Sequence, residues 1–349
     1  MSTSIVIPVF NSEKYLDRCL SSVVNQDCKD FEVIIINDGS TDKSEKIIKK
    51  YSAKYSYIKY YKQENSGVSM ARNFGIKKCT KDYITFLDAD DWLDNDYIQK
   101  SETYLKSQPV DLLLLPYIRE YKQFSRKNLL FKDNFKKFST KAEVDNNLLL
   151  KIFGPIGDEL KQPASIDDLS PCWGKFYKSD ICKNIYFEDI SKIGAEDIWF
   201  NLNYIFHINS AAYISNTFYH YNKENTSSLT HKKGSEVFNK REKLYEAMEL
   251  FARRYSLSRK YNLAIKNRVV VDLIGISNNI YSSNLSFIEK YTIEKKILNK
   301  KIYEIAFGNF DFHGLSGRWK LFFHLCKSKQ CFVLSCFIYL GESLKPLLK

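Results

Sequence analysis

The stretch from Ile84 to Trp92, Ile-Thr-Phe-Leu-Asp-Ala-Asp-Asp-Trp, constrains this chain more than any other. Ile84 to Leu87 form a short apolar run that reads as a buried strand, and the run empties directly into Asp88, Asp90 and Asp91. Side chains alternate across a strand, so Asp88 and Asp90, two positions apart, can face the same side at its carboxyl end. Two close carboxylates repel unless a cation sits between them or one takes a proton. Hard oxygen ligands suit Mg2+ or Mn2+, ions usually held by one or two carboxylates plus substrate phosphates. The plainer reading is an acidic turn whose Asp91 or Asp94 caps the next helix, and the spacing alone supports both.

The preceding chain supplies context. Residues 3–10, Thr-Ser-Ile-Val-Ile-Pro-Val-Phe, predict a fully buried strand. Asn11 or Ser12 then caps a helix whose apolar positions Leu16, Cys19, Leu20, Val23 and Val24 fall on one face. Phe31 to Ile36 predicts a second strand, stopped by Asn37-Asp38-Gly39-Ser40, and Ser40 or Thr41 caps a polar helix through about Lys50. Tyr57 to Tyr61 is a third strand, followed by the Glu64–Gly67 turn and a helix through about Lys78. Tyr83 to Leu87 is the fourth, then a helix near 95–106 and a fifth apolar run, Val110 to Leu115. Strand and helix alternating at this period predict an α/β fold, an open, mostly parallel sheet with helices on both faces.

Ligands of such sheets bind outside the carboxyl ends of the strands. Every polar cluster lies at such an end: Phe10-Asn11, Asp38-Gly39, Asn65 to Arg72, and Asp88 to Asp91. The first strand is not followed by Gly-x-Gly-x-x-Gly, which argues against a dinucleotide dehydrogenase, and no Gly-x-x-x-x-Gly-Lys-Ser/Thr occurs, which excludes a P-loop enzyme.

The chain has 349 residues, enough for one large domain and a smaller one. Its formal net charge of +12 favours anionic partners: a nucleotide, a pyrophosphate-linked lipid or an anionic membrane surface. No nucleic-acid recognition motif is present, so nucleic acid is not expected as a partner. The start reads as a strand rather than a secretory leader, and no run of about 18 apolar residues occurs, so no transmembrane span is expected. The eight cysteines include no Cys-x-x-Cys pair, and reduced, mostly buried thiols in a cytoplasmic protein are the expectation.

Four ordered blocks resemble the inverting family 2 glycosyltransferases of GT-A fold, of the kind that build bacterial capsule, exopolysaccharide and lipopolysaccharide. They are Ser-Ile-Val-Ile-Pro-Val-Phe-Asn (4–11), Ile-Ile-Ile-Asn-Asp-Gly-Ser-Thr-Asp (34–42), Gln-Glu-Asn-Ser-Gly-Val-Ser-Met-Ala-Arg-Asn-Phe-Gly (63–75) and Phe-Leu-Asp-Ala-Asp-Asp-Trp (86–92). The resemblance is strong over residues 3–115 and weaker over 165–230. It implies that Pro8, Val9, Phe10 and Asp38 hold the base of a nucleotide-sugar donor, with Arg72 near the nucleotide. It further implies that Asp88 lies near the ribose, that Ala89 belongs to the nucleotide-sugar site, and that Asp90 ligates a Mn2+ or Mg2+ bridging the diphosphate. UDP is the nucleotide the resemblance favours, with dTDP and GDP as alternatives.

Inverting transfer is one in-line displacement and needs a carboxylate to take the acceptor's proton. The resemblance places this base in an acidic pair opening a helix. Gly194-Ala195-Glu196-Asp197-Ile198-Trp199-Phe200 fits, with Asp197 as the base and Glu196 beside it. Glu188-Asp189 lacks the aromatic helix pattern that follows the first pair. Pro171-Cys172-Trp173-Gly174-Lys175-Phe176-Tyr177 resembles the segment before that pair, which implies Trp173 and Lys175 in the sugar and acceptor site; the alternative for Trp173 is core. His220-Tyr221-Asn222 through Ser227-Ser228 resembles the closing strand and loop over the donor, and a packed, hydrogen-bonded His220 is favoured over a metal or phosphate contact.

The expected layout is a nucleotide-sugar half at 1–118, a basic insertion at 119–165, an acceptor half at 166–232 and a helical region at 233–349. In the last, Leu244, Ala247, Met248 and Phe251 form one stripe and Val269, Leu273 and Ile276 another. The final stretch mixes bulky apolar and basic residues; its two readings are an inner-leaflet membrane contact, where a lipid-linked glycan acceptor would be, and a packing or homodimer surface. A processive synthase is rejected, because Leu315 stands where the Gln of Gln-x-x-Arg-Trp would precede Arg318-Trp319. The remaining alternative is an inactive nucleotide-sugar binder or scaffold.

Overall fold

The buried run Thr3–Val9 forms strand β1 in the computed structural model of the protein, which describes residues 1–28, 30–225 and 236–344. Helix α1 (Leu16–Val24) follows and buries Leu16, Cys19, Leu20 and Val23, the stripe its 3.6-residue period predicts. The alternation continues through β2 (Phe31–Asp38), α2 (Ser44–Lys54), β3 (Ile58–Gln63), α3 (Val68–Lys78) and β4 (Tyr83–Phe86). β1 pairs in parallel with both β2 and β4, and β2 with β3. Gly75 brings α3 close onto this sheet, since a Cβ there would sit 2.4 Å from Val6 Cγ1.

The chain then passes through β5 (Trp92–Leu93), α4 (Tyr97–Ser107), β6 (Leu112–Leu114), β7 (Tyr117–Glu120), β8 (Ser125–Asn128) and β9 (Phe135–Phe138). After several short turns come β10 (Lys175–Lys178), α5 (Glu196–Phe206), β11 (Ala211–Ile214) and β12 (Tyr219–Asn222). The large sheet has the order β3-β2-β1-β4-β10-β6-β11-β9, and a second sheet the order β5-β12-β7-β8. β10 is antiparallel to both its neighbours, β4 and β6. The expected α/β architecture, a largely parallel sheet flanked by helices, is the one observed.

Several local expectations differ. None of α1, α2 or α4 has a side-chain cap. Asn11 instead accepts from Thr41 N (2.8 Å) at a positive φ of 46°, tying the ends of β1 and β2 together. The stretch 119–165, expected as an insertion, supplies β8 and β9, and β9 forms the edge of the large sheet beside β11. The polar, outward-facing composition of β8 hides a strand from a hydrophobicity pattern.

The chain divides into two units: Met1–Leu149, Ser170–Ile190 and Glu196–Thr226 form the first, and Leu150–Leu169, Ser191–Ala195 and Ser227–Lys349 the second. The second is helical among its described residues, with α6 (Glu236–Arg254), α7 (Arg259–Val271), α8 (Leu273–Tyr281), α9 (Phe287–Leu298), α10 (Lys301–Phe307), α11 (Gly317–Lys327) and α12 (Cys331–Leu344). Leu244, Met248 and Phe251 are buried, as are Val269, Leu273 and Ile276. A charged knot lies inside it. Arg268, fully buried, meets Asp167 Oδ1 (3.0 Å) and Asp272 Oδ1 (3.7 Å) and donates to Phe153 O. Arg241 reaches the other oxygens of the same two acids (3.2 and 3.8 Å), and the Tyr245 hydroxyl donates to Asp272. All eight cysteines are free thiols. Among the described residues no helix is long and apolar enough to cross a membrane.

Candidate active site

The site begins where β2 ends. Asp38, buried, accepts from Gln63 Nε2 (2.7 Å), Ser66 N (2.9 Å) and Gly67 N (2.9 Å), so its carboxylate closes the turn that starts α3. Gly67 takes a φ of +88° there, and Gly39 a φ of +72° with Asn65 N only 2.8 Å from where a Cβ would be. Fixing the start of α3 fixes Arg72 one turn later.

Arg72 is the hub. Its Nη2 donates to Asp88 Oδ1 (3.0 Å) and its Nη1 to Asp197 Oδ1 (2.7 Å), with Glu196 Oε1 at 3.5 Å. The guanidinium is buried and lies over the Phe187 ring at 5.2 Å, while its Nε has no hydrogen-bond partner among the described residues. Burial works against its charge, but the surrounding acids outweigh that and hold it firmly protonated. Two of the carboxylates around it are pushed the same way. Burial, together with repulsion from Asp90 and Asp197, pushes Asp88 up to about 6 against the pull of Arg72. Burial and the adjacent Asp197 push Glu196 up to about 7.

Glu196 and Asp197 occupy the first turn of α5, where the helix dipole favours negative charge. Asp197 Oδ2 also accepts from Cys172 N (3.3 Å). A second layer holds that amide in place. The Tyr177 hydroxyl contacts Cys172 O (2.9 Å) and Asn201 Oδ1 (2.8 Å), and Asn201 Nδ2 donates to Ser170 O and Asp197 O. On the other flank Asn73 and the Phe187 backbone exchange two 2.8 Å hydrogen bonds, which seats the aromatic ring beside Arg72.

The acidic turn after β4 splits its roles. Asp91 is buried and binds Tyr219 Oη and Asn222 N (2.8 Å), and Asp88 N donates to the same Tyr219 oxygen (3.2 Å). Asp91 therefore fixes the turn to β12 and does not cap a helix. Asp94 accepts from Phe218 N (2.9 Å), so it is no cap either. Asp90 turns outward, accepts from Asn225 Nδ2 (2.7 Å), and offers its carbonyl to Arg18 (3.1 Å). Arg18 in turn lies 3.6 Å over the Trp92 ring, on which His220 also stacks.

Among the described residues no group of three or more His, Cys, Asp and Glu side chains is set to hold a metal ion. Asp88 and Asp90 nevertheless fit a hard cation. Their mutual repulsion, which helps raise Asp88, is what a divalent ion would relieve, and Mg2+ or Mn2+ completes its shell from phosphate and water. His220 is not free for such a role, since Glu120 (2.7 Å) and Asp94 (2.9 Å) take both its ring nitrogens.

The structure thus gathers Arg72, Asp88, Glu196 and Asp197 at one point, with Asp90 next to Asp88. Pro8 and Val9 are buried at the end of β1, Phe10 beyond them is exposed, and Ala89 is buried in the acidic turn. Trp173 is buried, stacked on Tyr219 at 4.4 Å, which is the core placement. Lys175 is buried too, donates to Pro171 O, and is pushed down to about 8 by burial. Ser227 and Ser228 lie outside the described residues. Sequence reasoning missed Arg18, Asn73, Asn201, Tyr219 and Asn225, whose contacts join separate stretches of the chain. A cavity of about 290 Å3 lined by Lys81, Tyr83, Asp111, Lys178 and Lys183 opens at the opposite end of β4 and contains none of these groups.

Residues 4–157 match the family described as Glycosyl transferase family 2. The chain is 32% identical over 220 residues to the Streptococcus pneumoniae glycosyltransferase GlyA, covering 62% of this chain and 30% of that protein. It is 33% identical over 204 residues to the Bacillus subtilis minor teichoic acid biosynthesis protein GgaB, 57% of this chain and 20% of that one. It therefore spans less than a third of these two relatives. Among solved structures it resembles S. aureus TarS in complex with UDP-GlcNAc, with a TM-score of 0.64 at 20% identity over 97% of this chain and 90% of that one. At that identity the likeness shows the fold, which is the expected GT-A type with a helical C-terminal region.

Proposed function

We propose that this chain is an inverting family 2 glycosyltransferase that moves a sugar from a nucleotide-diphosphate sugar, a UDP-sugar by preference, to a hydroxyl of a lipid-linked glycan acceptor in surface-polysaccharide synthesis. It would act in the cytoplasm, where nucleotide sugars are made. The observation that carries the reading is the junction at Arg72, which joins the acid ending β4 to an acid 125 residues from Arg72 in sequence, at the carboxyl end of the sheet. The family match over residues 4–157 and the UDP-GlcNAc complex of TarS support the donor class.

The chemistry follows from the groups present. The acceptor oxygen attacks the anomeric carbon opposite the diphosphate, the carbon–oxygen bond to phosphate breaks, and its electron pair leaves with the nucleoside diphosphate. Asp197 takes the acceptor's proton. Arg72 and the Cys172 amide each occupy one of its oxygens, which fixes the carboxylate while lone pairs remain to accept. Glu196, near half protonated at neutral pH, limits the negative charge that would repel an anionic donor. A divalent cation held by Asp90, with Asp88 beside it, would neutralise the departing diphosphate.

The test is thermal-shift binding of UDP, dTDP and GDP, each with and without Mn2+, on the wild type and on Asp90→Ala. The expected result is a metal-dependent shift, largest for UDP, that Asp90→Ala abolishes. No shift with any nucleotide would overturn the transferase reading and leave a scaffold role.

A further inference from the structure

Helix α12 carries no charged residue from Cys331 to Gly341. One side of it, Cys331, Leu334, Ser335 and Ile338, is buried. The opposite side is equally apolar but faces outward, with Phe332 63%, Tyr339 51% and Val333 50% exposed. On α9, Phe287 meets the rings of Phe332 (6.3 Å) and Tyr339 (6.0 Å) edge-on, and Ile288 extends the surface at 74% exposure. A helix on the surface of a water-soluble domain normally turns charged residues outward, and a contiguous apolar face marks an interaction site.

The chain leading into this face is basic. From Phe312 to Gly341 there is no Asp or Glu, while Arg318, Lys320, Lys327 and Lys329 are all exposed, and Glu342 is the next acid in sequence. Lys295 of α9 and Lys329 both act electrostatically on Cys331, which places them at the start of α12. On α9, Glu289 is exposed beside Ile288, where it completes the capping box with Ser286, and Glu294 is buried against Ser277. Basic residues therefore outnumber acids next to the face.

We propose that the outward face of α12, with Phe287 and Ile288, seats in the headgroup region of an anionic lipid bilayer. At 1.5 Å per residue its described residues cover about 21 Å, against about 30 Å for the hydrocarbon core, which suits a helix lying in the interface. Apolar side chains enter the acyl boundary while the lysines meet lipid phosphates. A second copy is the poorer occupant, because a two-fold interface pairs each patch with itself and would bring two basic rims together.

The experiment is co-sedimentation of the full chain with vesicles of phosphatidylcholine alone and of phosphatidylcholine with one third phosphatidylglycerol. Binding is expected to the anionic vesicles, weakened by salt. Phe332→Ser with Val333→Ser is expected to cut it at least tenfold with the melting temperature unchanged. Lys327→Glu with Lys329→Glu, which leaves the apolar face intact, is expected to cut it further than the roughly fivefold that one basic residue contributes. Wild type that ignores anionic vesicles, or variants that sediment like wild type, would overturn the proposal. So would a wild-type dimer that Phe332→Ser converts to monomer, since the face would then belong to a second copy. Free inorganic phosphate that competes off the vesicles at millimolar concentration would also overturn it, by reducing the site to an anion contact. The assay is independent of catalysis, so its failure leaves the transferase reading standing.

Discussion

Each unit of this protein buries arginine among carboxylates, and the two clusters are built to opposite ends. In the helical unit two guanidiniums, Arg268 and Arg241, face two acids, Asp167 and Asp272, so the charges balance. Phe153 O and the Tyr245 hydroxyl take up further hydrogen-bonding capacity. In the sheet unit one guanidinium, Arg72, faces three carboxylates, Asp88, Glu196 and Asp197, and the excess is negative. Exposure does not separate the two clusters, since Asp167 is 41% exposed and the three acids around Arg72 lie between 13% and 27%; charge balance does. A balanced cluster holds helices together. An unbalanced one carries excess negative charge that a bound cation would relieve, an arrangement more common at functional sites than in packed cores.

That contrast can be broken by substitution. The largest effect is expected from Asp197→Asn, which keeps the shape but removes the proposed proton acceptor: transfer should fall by roughly 10²–10⁴-fold, with the melting temperature little changed. A variant that retains most of its activity would move the base elsewhere. Next, Arg268→Met leaves Asp272 buried with only the more distant Arg241 as its cation, and should cost about 3–5 kcal/mol in chemical denaturation. The matching change, Arg72→Met, should cost less stability, about 1–3 kcal/mol, because its acids can take up water or protons. Its activity should nevertheless be lost. Equal stability losses at the two arginines would erase the distinction.

The smallest effect concerns pH. Glu196 has its folded value raised to about 7, above the roughly 4.3 of an unfolded chain, so the folded state binds the extra proton between those limits. Stability from this group is complete below about pH 4.3 and is lost as pH rises through about 7. Glu196→Gln should flatten that loss relative to wild type. A steeper decline in the variant would contradict the assignment.

The first four strands and their polar ends were legible because each carries its own local signal, a short apolar run stopped by Asn, Asp or Gly. Glu196-Asp197 was legible by resemblance and by its place at a helix start. What was hidden is what joins distant residues. Asp91 read as a cap, but it is spent on Tyr219 and Asn222, 128 and 131 residues on, and no periodicity encodes such a bond. Asp167 had no visible partner until Arg268 was folded onto it. β8, Ser-Arg-Lys-Asn, is an exposed strand held by backbone pairing with β7, so its side chains announce nothing. Lys175 was placed in the sugar and acceptor site by resemblance, and only the structure shows its amine turned back to Pro171.

The antiparallel insertion of β10 between β4 and β6 also sets a timetable. The first strands can pair as they leave the ribosome, but β4 and β6 share no direct ladder and are joined only through Lys175–Lys178. At roughly 5–20 residues per second, synthesis of the intervening chain takes several seconds. During that interval the nascent sheet is unfinished in its middle, with β4 offering an open edge to any chaperone or neighbouring polysome chain. A nascent chain arrested before Trp173 is therefore expected to be cut by protease near β4, and protection is expected only once Lys178 has cleared the exit tunnel.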